Sequence, residues 1–271
     1  MPQVISKDGT AIGYDLVGSG PALILVAGAT QYRAVDTALA PVLMAQLSSS
    51  FTVINYDRRG RGESGDKWPH AVAREVEDIA ALLDVAGGEA FIFGMSSGAV
   101  LALEAAAAMP RKIKGAVLYE PPIDPARSGD AYRYAHMQMA MLAAQGLAGQ
   151  MMSGFLQSVG MSAEALDAFK ASPAWPAYEA AGMSVEHDYR LLTDARAHDT
   201  PPERWQNAIM PVLVVDGDKS LPFMAAGADW VASGLHNAER LTLADQTHQV
   251  DPILLAPVMT VFYGFGTVQV H

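Results

Sequence analysis

The 271-residue sequence contains no cysteine. Disulfide bonds, thiolate metal sites and a cysteine nucleophile are therefore excluded. Cationic residues are also scarce, because 18 Lys and Arg stand against 29 Asp and Glu, which gives a formal net charge of −11. Nucleic acids and anionic membranes bind cationic surfaces, so we expect neither as a partner of this chain.

Long hydrophobic runs are missing too. No uninterrupted apolar stretch reaches the roughly 18 residues that a membrane-spanning helix needs. The opening residues, 1–8, have no basic segment followed by an apolar core, so we expect no secretion signal and a cytoplasmic location. The H-E-x-x-H motif and other dense ligand spacings are absent as well, and we expect no metal.

What the sequence does have is a regular alternation of strand and helix patterns. Apolar residues make up 51% of the chain, enough for one large core. Residues 3–17 alternate around Asp8-Gly9 and predict a hairpin, and the spacing of apolar residues over 72–83 predicts an amphipathic helix. Continuous apolar runs predict buried strands at 22–27, 52–56, 90–93, 115–119 and 212–215, with a last strand at 240–243. This pattern predicts an α/β fold with a mostly parallel central sheet flanked by helices.

The alternation stops between residues 123 and 205. This segment has no strong strand pattern, so we predict a helical cap, or lid, inserted into a core formed by residues 1–122 and 206–271. Half of the fourteen methionines fall in it, namely Met137, Met139, Met141, Met151, Met152, Met161 and Met183. Methionine is flexible and polarizable, which suits an adaptable pocket wall, but it also fills helical cores. The sequence leaves both interpretations open.

One motif suggests chemistry. The apolar run Ala90–Phe93 ends in Gly94-Met95-Ser96-Ser97-Gly98, and an alanine-rich segment follows. This order predicts a strand, a sharp turn and a helix, with the Ser96 hydroxyl projecting from the sheet edge. A serine at such a turn is typical of a nucleophile.

A serine hydroxyl needs a base within hydrogen-bonding reach, and that base needs an anion to fix its tautomer. Of seven histidines, His248 is the best candidate, because it follows the last predicted strand and comes after Ser96 in the chain. The remaining histidines are expected to be exposed or capping residues: His70, His136, His187, His198, His236 and His271.

Together these features resemble the α/β-hydrolase family, in particular its bacterial esterase and haloperoxidase-type branch. The matching stretches are Val26-Ala27-Gly28-Ala29, the segment 56–64, the Ser96 motif and the late His248. The resemblance implies an oxyanion hole formed by the backbone N–H groups of Ala29 and Ser97. It also implies that Asp57 and Arg58 brace loops. The histidine that this family usually carries before the glycine is replaced by Ala27.

The triad acid departs from the common pattern of the family. The expected aspartate position after the 212–215 strand is occupied by Ser220, which cannot supply an anion. Asp218 stands two residues earlier. Glu120 ends the strand after the nucleophile's helix, as the acid does in some members of this fold, and Pro121-Pro122 would hold it extended. Glu120 is the preferred acid and Asp218 the alternative.

The sequence therefore predicts a serine hydrolase that cleaves a small or medium apolar ester, lactone or thioester through an acyl-enzyme on Ser96. His248 would act as the base and Glu120 as its partner, without a cofactor. Peroxide or an alcohol could replace water as the acyl acceptor. Two further hypotheses stay open: a degenerate member of the fold that binds an apolar ligand without turnover, and a cofactor-free lyase or oxygenase. A homo-oligomer is compatible with the sequence.

Overall fold

The computed structural model describes residues 2–265, and eight strands in this part of the chain form one sheet in the order β1-β2-β4-β3-β5-β6-β7-β8. β1 and β2 form an antiparallel hairpin, β2 also runs antiparallel to β4, and the remaining neighbours are parallel. The predicted α/β class and mostly parallel sheet are confirmed. The strands are β1 (Gln3–Ile5), β2 (Ala11–Gly18), β3 (Ala22–Val26), β4 (Thr52–Tyr56), β5 (Ala90–Met95), β6 (Ile113–Tyr119), β7 (Val212–Gly217) and β8 (Ala238–Leu243).

Ten α-helices accompany the sheet in the described residues. They are α1 (Ala40–Leu47), α2 (Val72–Val85), α3 (Ser97–Ala108), α4 (Gly129–Ala144), α5 (Ala148–Ser158), α6 (Ala163–Lys170), α7 (Trp175–Ala180), α8 (Val185–Ala195), α9 (Pro222–Ser233) and α10 (Pro252–Phe262). Short 3-10 helices occupy Gly182–Ser184 and Glu203–Asn207. Within residues 2–265 no helix combines the length and apolarity needed to cross a membrane.

Helices cover the sheet on both faces. One apolar cluster joins the sheet to α2, α3 and α9, and a second joins the opposite face to α1 and α10. All five residues of β3 are buried, as expected for a strand without a polar side. The two covered faces fix the sheet rigidly, so side chains at its edge keep defined positions.

The segment 123–205, called here the helical insertion, carries α4 to α8 and no strand among the described residues. Its own apolar cluster contains Met139, Met151 and Met152, with Met161 and Met183 packed against it. Two further methionines point outward, with Met137 51% and Met141 59% exposed. Five of the seven methionines are thus core residues of the insertion.

Parallel register aligns the ends of the central strands. Val26 pairs with Gly94, Met95 with Tyr119, and Tyr119 with Val215. The residues that follow β3, β5, β6 and β7 therefore emerge along one carboxyl edge. Open α/β sheets bind ligands at this edge, and it is the edge to which the candidate nucleophile belongs.

Candidate active site

Ser96 stands between β5 and α3 with φ 56° and ψ −126°. The turn is tight: a Cβ on Gly94 would lie 2.3 Å from the carbonyl oxygen of Gly98, and a Cβ on Gly98 would lie 2.3 Å from that of Val26. Both positions thus require glycine, because a side chain there would collide with backbone. The strand, turn and helix predicted around Ser96 are present.

The backbone is strained at this edge of the sheet. Residues 2–265 contain four non-glycine residues with positive φ, and each lies in a connection after a strand: Thr30 (63°), Ser96 (56°), Glu120 (45°) and Asp245 (56°). A β-branched residue such as Thr30 rarely adopts this conformation. Strained residues persist where the surrounding structure holds them and are concentrated at functional sites.

Glu120 and His248 form a close pair. The Oε2 atom of Glu120 lies 2.6 Å from Nδ1 of His248. Glu120 is fully buried, whereas the His248 side chain is 36% exposed. With an ionised Glu120 as acceptor, Nδ1 of His248 carries the proton, and Nε2 is left free to accept one.

Two further donors hold the Glu120 carboxylate. The Gly217 amide donates to Oε1 over 2.9 Å, and the Ser220 hydroxyl donates to Oε2 over 2.8 Å. A buried carboxylate with three hydrogen bonds is satisfied in its ionised form. Ser220, which stands where the family pattern has its acid, therefore supports a carboxylate that comes from the neighbouring strand.

Asp218 is engaged elsewhere. Its Oδ1 accepts the Asp245 amide over 2.7 Å, and its other oxygen lies 3.6 Å from Nζ of Lys219. Of the two acids considered from the sequence, the structure brings Glu120 to His248.

The loop that carries His248 is also held to β6, because the Tyr119 hydroxyl donates to the carbonyl of Thr247 over 2.6 Å. Burial, together with the charges of Glu120 and Asp216, raises the pKa of Tyr119, so this hydroxyl keeps its proton.

The loop after β3 approaches Ser96. A Cβ on Gly28 would lie 3.0 Å from the Cβ of Ser96, so the two backbones are adjacent. Within residues 2–265 the amide of Ala29 has no hydrogen-bond acceptor, and the amide of Ser97 is the first of α3, where helical amides lack an intrahelical partner. Two unpaired donors are thus available beside the serine.

A buried ionic network underlies this loop. Arg58 pairs with Glu75 through two nitrogens, at 2.7 and 2.9 Å, and Arg61 pairs with Asp188 at 2.7 Å. Burial alone would raise the pKa of Asp188, but the charges of Arg61 and Arg58 hold it below its ordinary value. Asp188 is therefore an anion in the folded protein. Asp57 accepts the amides of Arg33 and Glu63, which agrees with a bracing role.

Another buried cluster includes possible metal ligands. One ring nitrogen each from His70 and His187 and a carboxylate oxygen of Glu186 lie within 4.8 Å of one another, and all three residues are buried. The two imidazoles are stacked 3.7 Å apart at 10°. Because imidazole binds a metal in the plane of its ring, parallel stacked rings do not direct their nitrogens at one ion. This arrangement is not a metal centre.

The other histidines of residues 2–265 have different surroundings. His136 pairs with Glu186 over 2.7 Å, and His198 and His236 are exposed. Buried His70 and His187 differ from the expected exposed or capping residues, because their imidazoles stack between the core and the insertion. His271 lies outside the described residues.

Sequence reasoning missed three contributors to this region. Arg61 lay inside the motif already quoted, but nothing showed where its side chain points. Ser220 was considered only as a missing aspartate. Asp188 has no local signal, because its partner Arg61 is 127 residues away.

Comparison with known proteins agrees with this architecture. The model of the Alpha/beta hydrolase family matches residues 23–257. The chain belongs to this family. The family resemblance predicted from the motifs is thus confirmed.

Individual relatives support a hydrolase. An alpha/beta hydrolase from Sphaerobacter thermophilus is 38% identical with a TM-score of 0.81, and the alignment covers 97% of this chain and 100% of that one. An esterase from a Rhodococcus species is 22% identical with a TM-score of 0.69, covering 98% and 99%, and shares the fold. The uncharacterized hydrolase YraK of Bacillus subtilis is 31% identical over 121 residues. That match spans 42% of this chain and 42% of YraK.

Proposed function

We propose that this protein is a serine hydrolase that cleaves small or medium apolar carboxylic esters, lactones or thioesters through an acyl-enzyme on Ser96. The observation that carries the proposal is the contact between buried Glu120 and His248, 2.6 Å apart, at the sheet edge that also bears Ser96. A base oriented by an anion is what a serine hydroxyl needs to become a nucleophile.

In this mechanism Ser96 Oγ attacks the acyl carbon while His248 Nε2 takes the serine proton. The carbonyl oxygen becomes an oxyanion, which the amides of Ala29 and Ser97 stabilise, each by roughly 3 kcal/mol. His248 then gives its proton to the departing alcohol. Water, activated by the same histidine, attacks the acyl-enzyme and releases the acid, which restores Ser96. Glu120 holds the imidazole in one tautomer and stabilises its charged form.

Within residues 2–265 no hydrogen bond joins Ser96 Oγ to His248. Catalytic hydrogen bonds are often long in the absence of substrate, so this geometry is compatible with the mechanism. The proposal requires no cofactor, because the proton and the nucleophile both come from side chains.

The proposed preference for an apolar acyl group has two supports. Leu221 follows Ser220, which binds Glu120, and this leucine is 48% exposed at the edge of the site. Met137 and Met141 on α4 leave more than half of their surface exposed. Sites for small apolar ligands are lined mostly by apolar side chains, so we propose that these exposed residues line the acyl site. Peroxide or an alcohol would use the same groups in place of water.

A second candidate function is ligand binding without turnover. It is favoured by Ala27, which stands where the family usually has a histidine, and by the lack of a hydrogen bond between Ser96 Oγ and His248 within residues 2–265. In that case the site would hold an apolar ligand while Ser96 stayed unactivated.

The deciding experiment is intact mass after incubation with a fluorophosphonate, which reacts with activated serines. Native protein is expected to gain one adduct, and Ser96→Ala protein none; heat-denatured native protein controls for non-specific labelling. Hydrolysis of a p-nitrophenyl ester series should disappear in the same variant. A folded native protein that gains no adduct and hydrolyses no ester would favour the binding function.

A further inference from the structure

We infer that Arg61 and Asp188 are positioning residues for the two oxyanion donors, and that the helical insertion completes the oxyanion hole by supplying Asp188. The inference rests on the proposed function. It assigns to a cap helix a part in transition-state stabilisation that does not involve contact with substrate.

The first step is the bond from Arg61 to the loop after β3. Its Nη1 donates to the carbonyl of Gly28 over 2.6 Å, and the whole side chain is buried. That carbonyl and the N–H of Ala29 belong to the same peptide group. In a trans peptide they point in opposite directions, so holding the carbonyl fixes the direction of the Ala29 donor.

The charge of Arg61 adds to this effect. A cation that binds the carbonyl draws electrons away from the amide nitrogen, which strengthens the Ala29 N–H as a donor. The neighbouring peptide is held as well, because Nη1 of Arg58 lies 3.2 Å from the carbonyl of Ala27. Two arginines thus hold successive carbonyls, at the place where the family usually has a histidine and this chain has Ala27.

The second step is the carboxylate of Asp188, which lies on α8 of the insertion. Its Oδ2 accepts Nη2 of Arg61 over 2.7 Å, and its Oδ1 accepts the Ser97 hydroxyl over 2.7 Å and Nη1 of Arg58 over 2.8 Å. Ser97 is the residue whose amide is the other donor. One carboxylate therefore anchors both sides of the oxyanion hole.

The third step concerns how firmly this anchor is fixed. Arg61 also donates from Nε to the Ser184 hydroxyl over 3.0 Å, and Ser184 belongs to the insertion as well. Asp188 is 2% exposed, so water does not compete for its bonds. Loss of the carboxylate charge would leave the buried Arg61 guanidinium without its anion and free to leave the Gly28 carbonyl.

The peptide itself can be observed by NMR. The sequence has four Gly-Ala pairs, at 28–29, 98–99, 115–116 and 227–228. Protein labelled with carbonyl-¹³C glycine and ¹⁵N alanine gives one HNCO signal for each pair. In Asp188→Asn and in Arg61→Met the 28–29 signal is expected to move and the 115–116 and 227–228 signals to stay. This result does not depend on turnover.

Kinetics provide the second measurement. With active sites counted by fluorophosphonate labelling, Asp188→Asn should lower kcat about 10- to 100-fold for a p-nitrophenyl ester, less than the loss of a whole oxyanion donor. The Ki of a trifluoromethyl ketone, which forms an oxyanion on Ser96, should rise by a similar factor while KM changes less than about twofold. Arg61→Lys, which keeps a cation, should retain more activity than Arg61→Met.

The matched control is Glu186→Gln. Glu186 is a fully buried carboxylate on the same helix, but it pairs with His136 and Arg190, and within residues 2–265 it makes no bond to the loop after β3. In Glu186→Gln, kcat and the affinity for the trifluoromethyl ketone are expected to stay near the native values. Equal losses in Asp188→Asn and Glu186→Gln, or an unmoved 28–29 signal in folded Arg61→Met, would overturn the inference. A native protein that shows neither turnover nor adduct would instead refute the proposed function. The two failures can be told apart because the NMR signal does not depend on turnover.

Discussion

The carboxyl edge of the sheet and the helical insertion are built differently. At the sheet edge four non-glycine residues take positive φ, and the side chains that meet there are polar. In the insertion no described non-glycine residue has positive φ, and α4 to α8 are held by a methionine-rich apolar cluster. Backbone strain is thus concentrated where the positions of the candidate catalytic groups must be held to a fraction of an ångström. This strain is tolerated because helices pack on both faces of the sheet and support its edge.

The two regions meet through polar contacts as well as through apolar packing of α8 against the core. Asp188 and Ser184 of the insertion bind Arg61 of the core, and the Tyr32 hydroxyl donates to the carbonyl of Ala177 over 2.9 Å. Directed bonds of this kind fix orientation better than apolar contact, which is insensitive to direction. Variants that change the sheet edge without affecting the insertion, or the reverse, test this difference between the two regions.

The largest effect is expected from Glu120→Gln. The amide keeps the shape of the carboxylate but cannot stabilise a charged imidazole or fix its tautomer, so kcat for a p-nitrophenyl ester should fall about 10³- to 10⁴-fold. Thermal unfolding with and without substrate analogue checks that the fold persists. Asp218→Asn is the control and should stay within about twofold; the opposite ranking would assign the acid to Asp218.

Restoring an acid at position 220 sharpens this test. Ser220 Oγ lies 2.8 Å from the Glu120 carboxylate, so an aspartate there would bring its anion into the same area. We expect Glu120→Gln combined with Ser220→Asp to recover at least tenfold in kcat over Glu120→Gln alone. Ser220→Asp in the native background should lose activity, because two carboxylates in contact would repel each other. No recovery would show that the acid must stand at position 120, directly after β6.

Met152→Ala tests the packing of the helical insertion. Met152 is fully buried in the insertion cluster, and removal of its side chain leaves a cavity. The free energy of unfolding is expected to fall by about 3 kcal/mol, as measured by urea denaturation. Activity per folded molecule should change far less than in Glu120→Gln. A large loss of kcat without loss of stability would place this methionine in the site instead.

The contact between the two regions predicts a pH effect of moderate size. The lowered pKa of Asp188 means that its stabilisation is present above the ordinary aspartate value of 3.8 and is lost as pH falls through the lowered value. The difference in unfolding free energy between native and Asp188→Asn protein should therefore shrink from pH 7 to pH 3. Exposed Asp199→Asn is the control, with a change below about 0.5 kcal/mol at pH 7.

The smallest effect on stability is expected from Met141→Ala. Its side chain is 59% exposed, so little burial is lost and the free energy of unfolding should change by less than about 0.5 kcal/mol. If α4 borders the substrate, the preferred chain length in a p-nitrophenyl ester series should shift in this variant. An unchanged preference would leave Met141 as a surface residue.

Much of the fold follows from the sequence because its signals are local. A fully apolar run such as 22–26 predicts a strand covered on both faces, and the turn at Ser96 is imposed by glycines next to it in the chain. The predicted hairpin, the helix over 72–83 and the absence of strands in 123–205 are all found in the described residues. Periodicity and glycine position depend only on neighbouring residues, so the sequence by itself determined these features.

Contacts between residues that are far apart in the sequence were decided by the tertiary structure. The sequence favoured Glu120 over Asp218 as the acid, but which carboxylate lies against His248 depends on how the strands pair, and the tertiary structure brings Glu120 there. No local pattern shows that Trp205, the last residue of the predicted cap, lies fully buried in the core and donates to Glu104 over 2.9 Å. Asp188 reaches Arg61 only because the insertion folds back across the sheet edge. Such contacts arise from packing between elements over 100 residues apart, which no local pattern encodes.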